Sequence, residues 1–287
     1  MSGQAAGRAL GVLGIDAAWT SKNASGVALA LQTKRGWRLA RVASSYAAFL
    51  SDVPGLDAIR DTSGGEPPVD ALVARCVDLG GPAIPSVVAA DIPLSRTPIT
   101  VRRACDNAIS SRFGGRGISA HSPSADRPGP IADRLRAAWE QAGVRLATSS
   151  TGPAARGSKA RGHASPALLE VYPHTGVLAL RRADYRVPYK AARARKYWPD
   201  DPPDVRVRKL LREWTAIVAA LDADLPGTAA ALGSPADLTP GERKAYEDAL
   251  DAVVCCWIGM AFLEGRAEAI GDADSAIWVP RAALAAG

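Results

Sequence analysis

The chain has 287 residues, of which 47% are hydrophobic and 22% charged, and this composition is typical of a globular protein with a sizeable core. Its longest apolar stretch, 252–263, is shorter than the roughly 20 residues that cross a bilayer, and no secretory signal is visible. We therefore predict a soluble, cytoplasmic protein without a membrane partner. The formal charge is +6, and 181–212 contains eleven Lys or Arg against four acidic residues. This local excess favours a nucleic-acid or nucleotide-phosphate partner, unless it reflects genome composition alone.

Three strands are predicted at the start of the chain, over 11–20, 25–33 and 37–44. The first is continuously apolar up to Asp16, as expected of a central strand that is covered on both faces. Lys34-Arg35-Gly36 has the length and glycine content of a hairpin turn. The three strands are therefore predicted to form an antiparallel meander.

Helices and two further strands are predicted after the meander. The helices are expected over 67–79, 102–112, 131–142, 205–221 and 239–264, with a short helix or turn over 175–180. The buried strands are expected over 86–91 and 167–173. A helix separates the 86–91 strand from the meander, so the right-handed crossover rule places this strand parallel to the first one.

Loops are predicted where Gly, Ser and Pro accumulate, over 114–130 and 149–165, and the second of these is expected to be mobile. No internal repeat and no linker divides the chain. We therefore predict an α/β fold in a single domain over 1–287, with insertions at about 96–165 and 181–240.

Carboxylates stand in unusually apolar surroundings at three places in the chain. Asp16 and Asp91 each end an apolar run, and Asp251 is the only charged residue in 249–263. An unpaired buried charge is costly, and a cation shared between the carboxylates removes that cost. Ligands gather beyond the carboxyl ends of parallel strands, and a helix packed on the sheet can direct Asp251, or Asp248 one turn earlier, to the same point.

The expected metal is Mg²⁺ or Mn²⁺, with Asp16, Asp91, Asp248 and Asp251 as its ligands, because carboxylate oxygens are hard donors. Zinc is not expected, since the four cysteines form no C-x-x-C pair and none of the three histidines lies near a cysteine pair. Cys255 and Cys256 fall in the predicted buried helix and are interpreted as core residues of a reducing compartment. Each acid also has a structural interpretation. Asp16 and Asp91 suit turns, Asp248 suits a solvated helix face, and Asp251 suits a buried arginine partner.

Five segments of the chain carry a family resemblance. They are Gly14-Ile15-Asp16-Ala17-Ala18-Trp19, Ala90-Asp91-Ile92-Pro93-Leu94, Arg103-Ala104-Cys105-Asp106, Glu170-Val171-Tyr172-Pro173-His174 and Leu250-Asp251-Ala252-Val253. These segments resemble a family described as predicted ribonuclease H-like nucleases, the domain of unknown function 429. The resemblance implies a mixed five-stranded sheet flanked by helices, with the site at one edge of the sheet. The stretch Asp248-Ala249-Leu250-Asp251-Ala252 also resembles the corresponding helix of Holliday-junction resolvases.

Five further residues complete the candidate site. Glu170 is an alternative fourth metal ligand to Asp248, and His174 can deliver the attacking water or protonate a leaving group. Arg103 is expected to contact a phosphate with Asp106 orienting it, and Lys190 is expected to bind phosphate as well. The structural alternatives are a surface residue on an edge strand for Glu170, a loop position for His174, a surface ion pair for Arg103 and Asp106, and a solvated Lys190.

The leading hypothesis is a metal-dependent phosphodiesterase that hydrolyses nucleic acid, because paired ions held by three or four carboxylates activate water and stabilise the leaving oxygen. One alternative is a nucleotide hydrolase or small-molecule phosphotransferase on the same fold, which nucleotide turnover would reveal. The other is a non-catalytic nucleic-acid-binding module, whose binding would be sensitive to salt and indifferent to chelation of Mg²⁺.

Overall fold

The computed structural model describes residues 10–81, 85–151 and 166–285, so most of the predicted loop at 149–165 lies outside the described residues. Within them, eight strands form one mixed sheet with helices on both faces. The strands are β1 Gly11–Asp16, β2 Gly26–Thr33, β3 Gly36–Ala43, β4 Val87–Ala90, β5 Arg145–Leu146, β6 Ala167–Val171, β7 Ala267–Gly271 and β8 Ala276–Pro280.

The helices agree in place with most of the predicted ones and add several short ones. They are α1 Tyr46–Leu50, α2 Gly55–Arg60, α3 Val69–Gly80, α4 Ala104–Phe113, α5 Pro130–Gln141, α6 Pro173–Leu180, α7 Ala194–Tyr197, α8 Pro203–Asp224, α9 Thr228–Leu232, α10 Arg243–Leu263 and α11 Arg281–Leu284. Among the helices that the structure describes, none is both long enough and apolar enough to cross a bilayer.

The sheet has the strand order β3-β2-β1-β4-β6-β8-β7, and the short β5 pairs with the start of β6. The predicted meander β1–β3 is antiparallel, and β4 lies parallel to β1, which confirms both predictions. The predicted number of five strands is wrong. Those five strands are present as β3-β2-β1-β4-β6, but β8 adds to β6 in parallel and β7 adds to β8 in antiparallel orientation.

Helix α10 packs directly on the central strands, and every residue in 245–262 is buried. A helix that is apolar on all sides is expected in such a position. Its backbone approaches two strands so closely that a Cβ at Gly14 would collide with the carbonyl of Ala252, and a Cβ at Gly26 with that of Asp248. These two glycines therefore bring the acidic turn of α10 to the carboxyl end of β1.

The two faces of the sheet carry separate apolar cores. One core includes buried side chains of α4, α6, α8 and α10, among them Trp214 and Tyr246. The other includes side chains of α1, α3 and α5, among them Phe49 and Trp139. All four cysteines are buried and free, which confirms the predicted core positions of Cys255 and Cys256. The basic helix α8 buries an apolar stripe and presents its charges on the opposite side.

Candidate functional site

A cavity of about 770 Å³ opens at the carboxyl ends of β1 and β4. The backbone N–H of Asp91 donates to the carbonyl of Ile15 at 2.8 Å, which joins the ends of these two strands. Asp16, Asp91 and Asp248 line the cavity together and are called the acidic floor below. The structure thus brings together three carboxylates that are far apart in the sequence, as the parallel strand arrangement predicts.

The positive charge near the acidic floor is too small to keep the pKa values of its carboxyl groups in their usual range. Burial raises the pKa of Asp16 well above its usual range, and the nearby carboxylates of Asp248 and Asp251 raise it further. Burial also raises the pKa of Asp91 to about 7, although Lys190 acts to lower it. Carboxyl groups in this condition gain stability from any additional cation that reaches them.

Asp251 lies behind the acidic floor, fully buried, and already has a counter-ion. The hydroxyl of Tyr189 donates to its Oδ1 at 2.9 Å, and the Nζ of Lys190 donates to its Oδ2. The same Nζ lies 3.5 Å from Oε1 of Glu247. Burial acts to lower the pKa of Lys190, but Asp251 and the other acids raise it well above its usual value, so this lysine stays charged.

Lys190 is therefore neither the solvated lysine nor the free phosphate ligand that the sequence suggested. It lines the cavity with its side chain 19% exposed, and its ammonium group neutralises buried carboxylates. Asp251 is not part of the cavity lining, and Lys190 already neutralises its charge. A metal bound by Asp251 would stand close to the ammonium group unless Lys190 withdrew, and this role of Asp251 stays a prediction. The partner of Asp251 is a lysine and a tyrosine, where the sequence suggested an arginine.

Glu247 and Lys244 belong to the same charge network and were missed by the sequence analysis. Lys244 pairs with Asp248 through Oδ1 and lies 3.5 Å from Glu247. The other oxygen of Glu247 accepts the backbone N–H of Ala191 at 2.5 Å. The signal was present in the spacing, because side chains three and four residues apart on a helix are neighbours.

Glu170 does not face the cavity, and its expected role as a metal ligand has to be corrected. Its two oxygens accept hydrogen bonds from both terminal nitrogens of Arg103, at 2.6 and 2.7 Å, and the backbone N–H of Leu94 donates to it at 2.6 Å. Strand β6 pairs Glu170 with Ala90, next to the floor, but its carboxylate is bound by Arg103 and is not part of the cavity lining.

Arg103 and Asp106 form a buried pair instead of a substrate contact. Arg103 donates from Nη2 to Asp106 at 2.7 Å and from Nε at 3.0 Å, and its side chain is only 7% exposed. Arg103 also donates from Nη1 to the carbonyl of Leu94 at 2.7 Å, so all five N–H groups of its guanidinium are used and none is left for a phosphate. Both substrate-binding expectations are therefore wrong, because the Arg-x-x-Asp spacing here closes a buried ion cluster.

Cys105, Asp106 and Glu170 are the only three potential metal ligands that lie within 4.8 Å of one another in the part of the chain that the structure describes. Because Arg103 already supplies positive charge to both carboxylates, this cluster is not assigned to a metal. No three of the four predicted aspartate ligands reach that spacing. The donor chemistry of the floor nevertheless fits Mg²⁺ or Mn²⁺, since Asp16, Asp91 and Asp248 offer carboxylate oxygens to one cavity.

His174 lines the cavity at the start of α6, but its environment opposes an acid role. Burial lowers its pKa well below the usual value, and Lys190 and Arg186 lower it further, so the ring is neutral. The Nη2 of Arg186 lies 2.6 Å from Nε2, which must then be the accepting nitrogen. The proton consequently resides on Nδ1, and His174 is a hydrogen-bond donor and not the expected proton source for a leaving group.

Aromatic and basic residues surround the mouth of the cavity at Trp19, His121 and Arg127, and these three are called the aromatic rim below. The rings of Trp19 and His121 meet at 78°, with their centroids 6.0 Å apart. The guanidinium carbon of Arg127 lies 5.8 Å from the Trp19 ring centroid. His121 and Arg127 belong to the predicted loop at 114–130, and no local pattern showed that this loop meets the turn after β1.

Comparison with known proteins identifies one family. A sequence model described as "Protein of unknown function (DUF429)" matches residues 14–276, which is nearly the whole chain. No curated protein and no solved structure matches the chain.

Proposed function

This chain belongs to the DUF429 family, and we propose that it is a divalent-metal-dependent phosphodiesterase that acts on nucleic acid. The observation that carries the proposal is the acidic floor. Three carboxylates from β1, the end of β4 and α10 line one cavity, and burial raises the pKa of each of them. The antiparallel meander β1–β3, with β4 parallel to β1 and β6 parallel to β4, supports a ribonuclease H-like core, because the sequence resemblance implied a mixed sheet flanked by helices.

Asp16, Asp91 and Asp248 would bind the metal, and Asp251 would join them if Lys190 withdrew. A bound Mg²⁺ or Mn²⁺ supplies Lewis-acid polarisation of a phosphate ester and a more acidic water. The residues of the chain supply the rest. Lys244, with its side chain 62% exposed at the cavity, can pair with a phosphate oxygen, and the neutral His174 can donate one hydrogen bond from Nδ1.

The basic region at 181–212 supports nucleic acid as the substrate. Its first part forms a wall of the cavity through Tyr189 and Lys190. Arg193 lies close enough to lower the pKa of His121, and Arg195 and Lys196 are exposed on α7. Positive charge next to the cavity attracts a polyanion and increases its rate of association.

The decisive experiment compares Asp91→Asn with Asp57→Asn, a matched change at an acid whose side chain is 72% exposed on α2. Cleavage of labelled single-stranded, duplex and hybrid oligonucleotides is measured with Mg²⁺ or Mn²⁺ and with EDTA. We expect Asp91→Asn to lose more than roughly 100-fold, the upper range for residues that only support a metal ligand. Asp57→Asn should retain full activity.

Circular dichroism verifies that both variants fold. Cleavage that continues in EDTA, or that is unchanged in a folded Asp91→Asn protein, would exclude the metal-dependent mechanism. Turnover of free nucleotides without cleavage of any oligonucleotide would instead support the nucleotide-hydrolase alternative.

A further inference from the structure

The cavity has two chemically different parts, the acidic floor and the aromatic rim. We propose that the rim is a binding subsite for one unpaired nucleobase, so that the substrate is single-stranded nucleic acid. This inference rests on the proposed function and specifies its substrate. The ligand that matches both parts must carry a phosphate and an aromatic ring, and a nucleotide within a strand carries both.

Trp19 is placed so that one nucleotide can reach both parts of the cavity. It follows Asp16 by three residues, so their Cα atoms are at most about 11 Å apart. One side of the indole packs on the apolar core under β1, and another side lines the cavity. The ring is therefore anchored and partly exposed, unlike the fully buried Trp139 and Trp214.

The face of Trp19 is occupied by a group that a base can replace. The guanidinium carbon of Arg127 stands over the indole at 5.8 Å from the ring centroid, which is a cation–π contact. Arg127 is exposed and can turn from the ring to a phosphate oxygen, while His121 supports the indole from the side. The hydroxyl of Tyr172 donates to the carbonyl of Ser119 at 3.0 Å and fixes this loop to the end of β6.

An unpaired base is the form of nucleic acid that fits such a subsite. Inside a duplex both faces of each base are already stacked, and only an unstacked base offers a face to an aromatic side chain. Stacking on Trp19 is tolerant of sequence, because every base has a π-face. The rim thus predicts preference for single strands without preference for a particular base.

The test measures binding by fluorescence anisotropy, in EDTA so that no cleavage occurs. A labelled single-stranded oligonucleotide is compared with an abasic strand of the same length and charge. The wild-type protein should bind the natural strand roughly 5- to 150-fold more tightly than the abasic one, as expected for stacking of one base. Trp19→Ala should lose this preference and keep its affinity for the abasic strand, whereas Trp19→Phe should retain most of the preference.

Trp198→Ala is the matched control, because Trp198 lies at the end of α7 outside the cavity lining and should leave the preference unchanged. An unlabelled blunt duplex should compete no better than the abasic strand. The inference is overturned if the wild type shows no preference, if Trp19→Ala keeps it, or if the duplex competes as well as the single strand. A base preference without metal-dependent cleavage would support the subsite and refute the phosphodiesterase, and cleavage without a base preference would do the reverse.

Discussion

Replacing Lys190 with methionine tests whether this lysine is the internal counter-ion of the site. Methionine keeps much of the aliphatic length and removes the ammonium group. Asp251 would then be fully buried with only the hydrogen bond from Tyr189, and the side chain of Glu247, 4% exposed, would lose a cation 3.5 Å away. Removing one partner of a buried ion pair costs about 3–5 kcal/mol of the free energy of unfolding. Since the lysine keeps some exposure, we expect about 3 kcal/mol.

The free energy is measured by urea unfolding at neutral pH in EDTA, with Lys209→Met as the matched control. Lys209 pairs with Asp201 at 2.5 Å, but its side chain is 36% exposed, so its removal should cost less than about 1 kcal/mol. A double-mutant cycle then isolates the pair. Lys190→Met combined with Asp251→Asn should be less destabilising than the sum of the single changes, by about 1–3 kcal/mol.

Lys190 is not the internal counter-ion if Lys190→Met costs no more stability than Lys209→Met, or if the two changes at 190 and 251 are additive. Either result would mean that the ammonium group is bound by solvent and not by the buried acids. A change in the slope of the urea transition would indicate that the variant altered the denatured state, and the comparison would then be made from thermal midpoints.

Two further predictions follow from the buried charges. The pKa of Asp91 is about 7 in the folded chain and about 3.8 when the group is exposed, so between these pH values the folded state binds a proton that the unfolded state does not. The free energy of unfolding therefore falls as pH rises from about 4 to 7, by up to about 1.4 kcal/mol per pH unit from this group. Urea titrations in EDTA should show a shallower fall for Asp91→Asn than for the wild type, and parallel curves would contradict the pKa shift. Glu170→Gln leaves Arg103 with one buried carboxylate and should lower the free energy of unfolding by about 3–5 kcal/mol. Cleavage per folded molecule should be unchanged, and a selective loss of cleavage would mean that Glu170 takes part in catalysis.

The central sheet was predictable because its signals are local. Continuous apolar runs such as Val87–Ala90 are the pattern of strands covered on both faces, and Asp16 and Asp91 mark where two of them end. Strands β7 and β8 were missed because each is five residues long and follows the long apolar helix α10. The place of β8 in the sheet depends on its pairing with β6, which begins about a hundred residues earlier, and β7 then pairs with β8.

The partners of the acids were not predictable from local pattern. Lys190 is 61 residues from Asp251 in the sequence, and Arg103 is 67 residues from Glu170. Both cations stand in stretches rich in other basic residues, so nothing in the sequence distinguishes a buried lysine or arginine from an exposed neighbour. Proximity between them and the acids arises only when β6, α6 and α10 are assembled.

Buried carboxylates require a nearby cation, and the structure identifies which cations the chain itself supplies. Positive charge near the acids is supplied by Lys190 behind the floor and by Lys244 at its edge. Yet burial still raises the pKa of Asp16 and Asp91, so the two lysines do not fully neutralise the negative charge of the floor. A divalent ion would neutralise the remaining negative charge at the floor, where the carboxylates face the cavity. Asp251 and Lys190 can remain paired behind it. The need for a cation follows from the sequence, but the choice between ammonium and metal depends on which acids face the cavity and which face the protein.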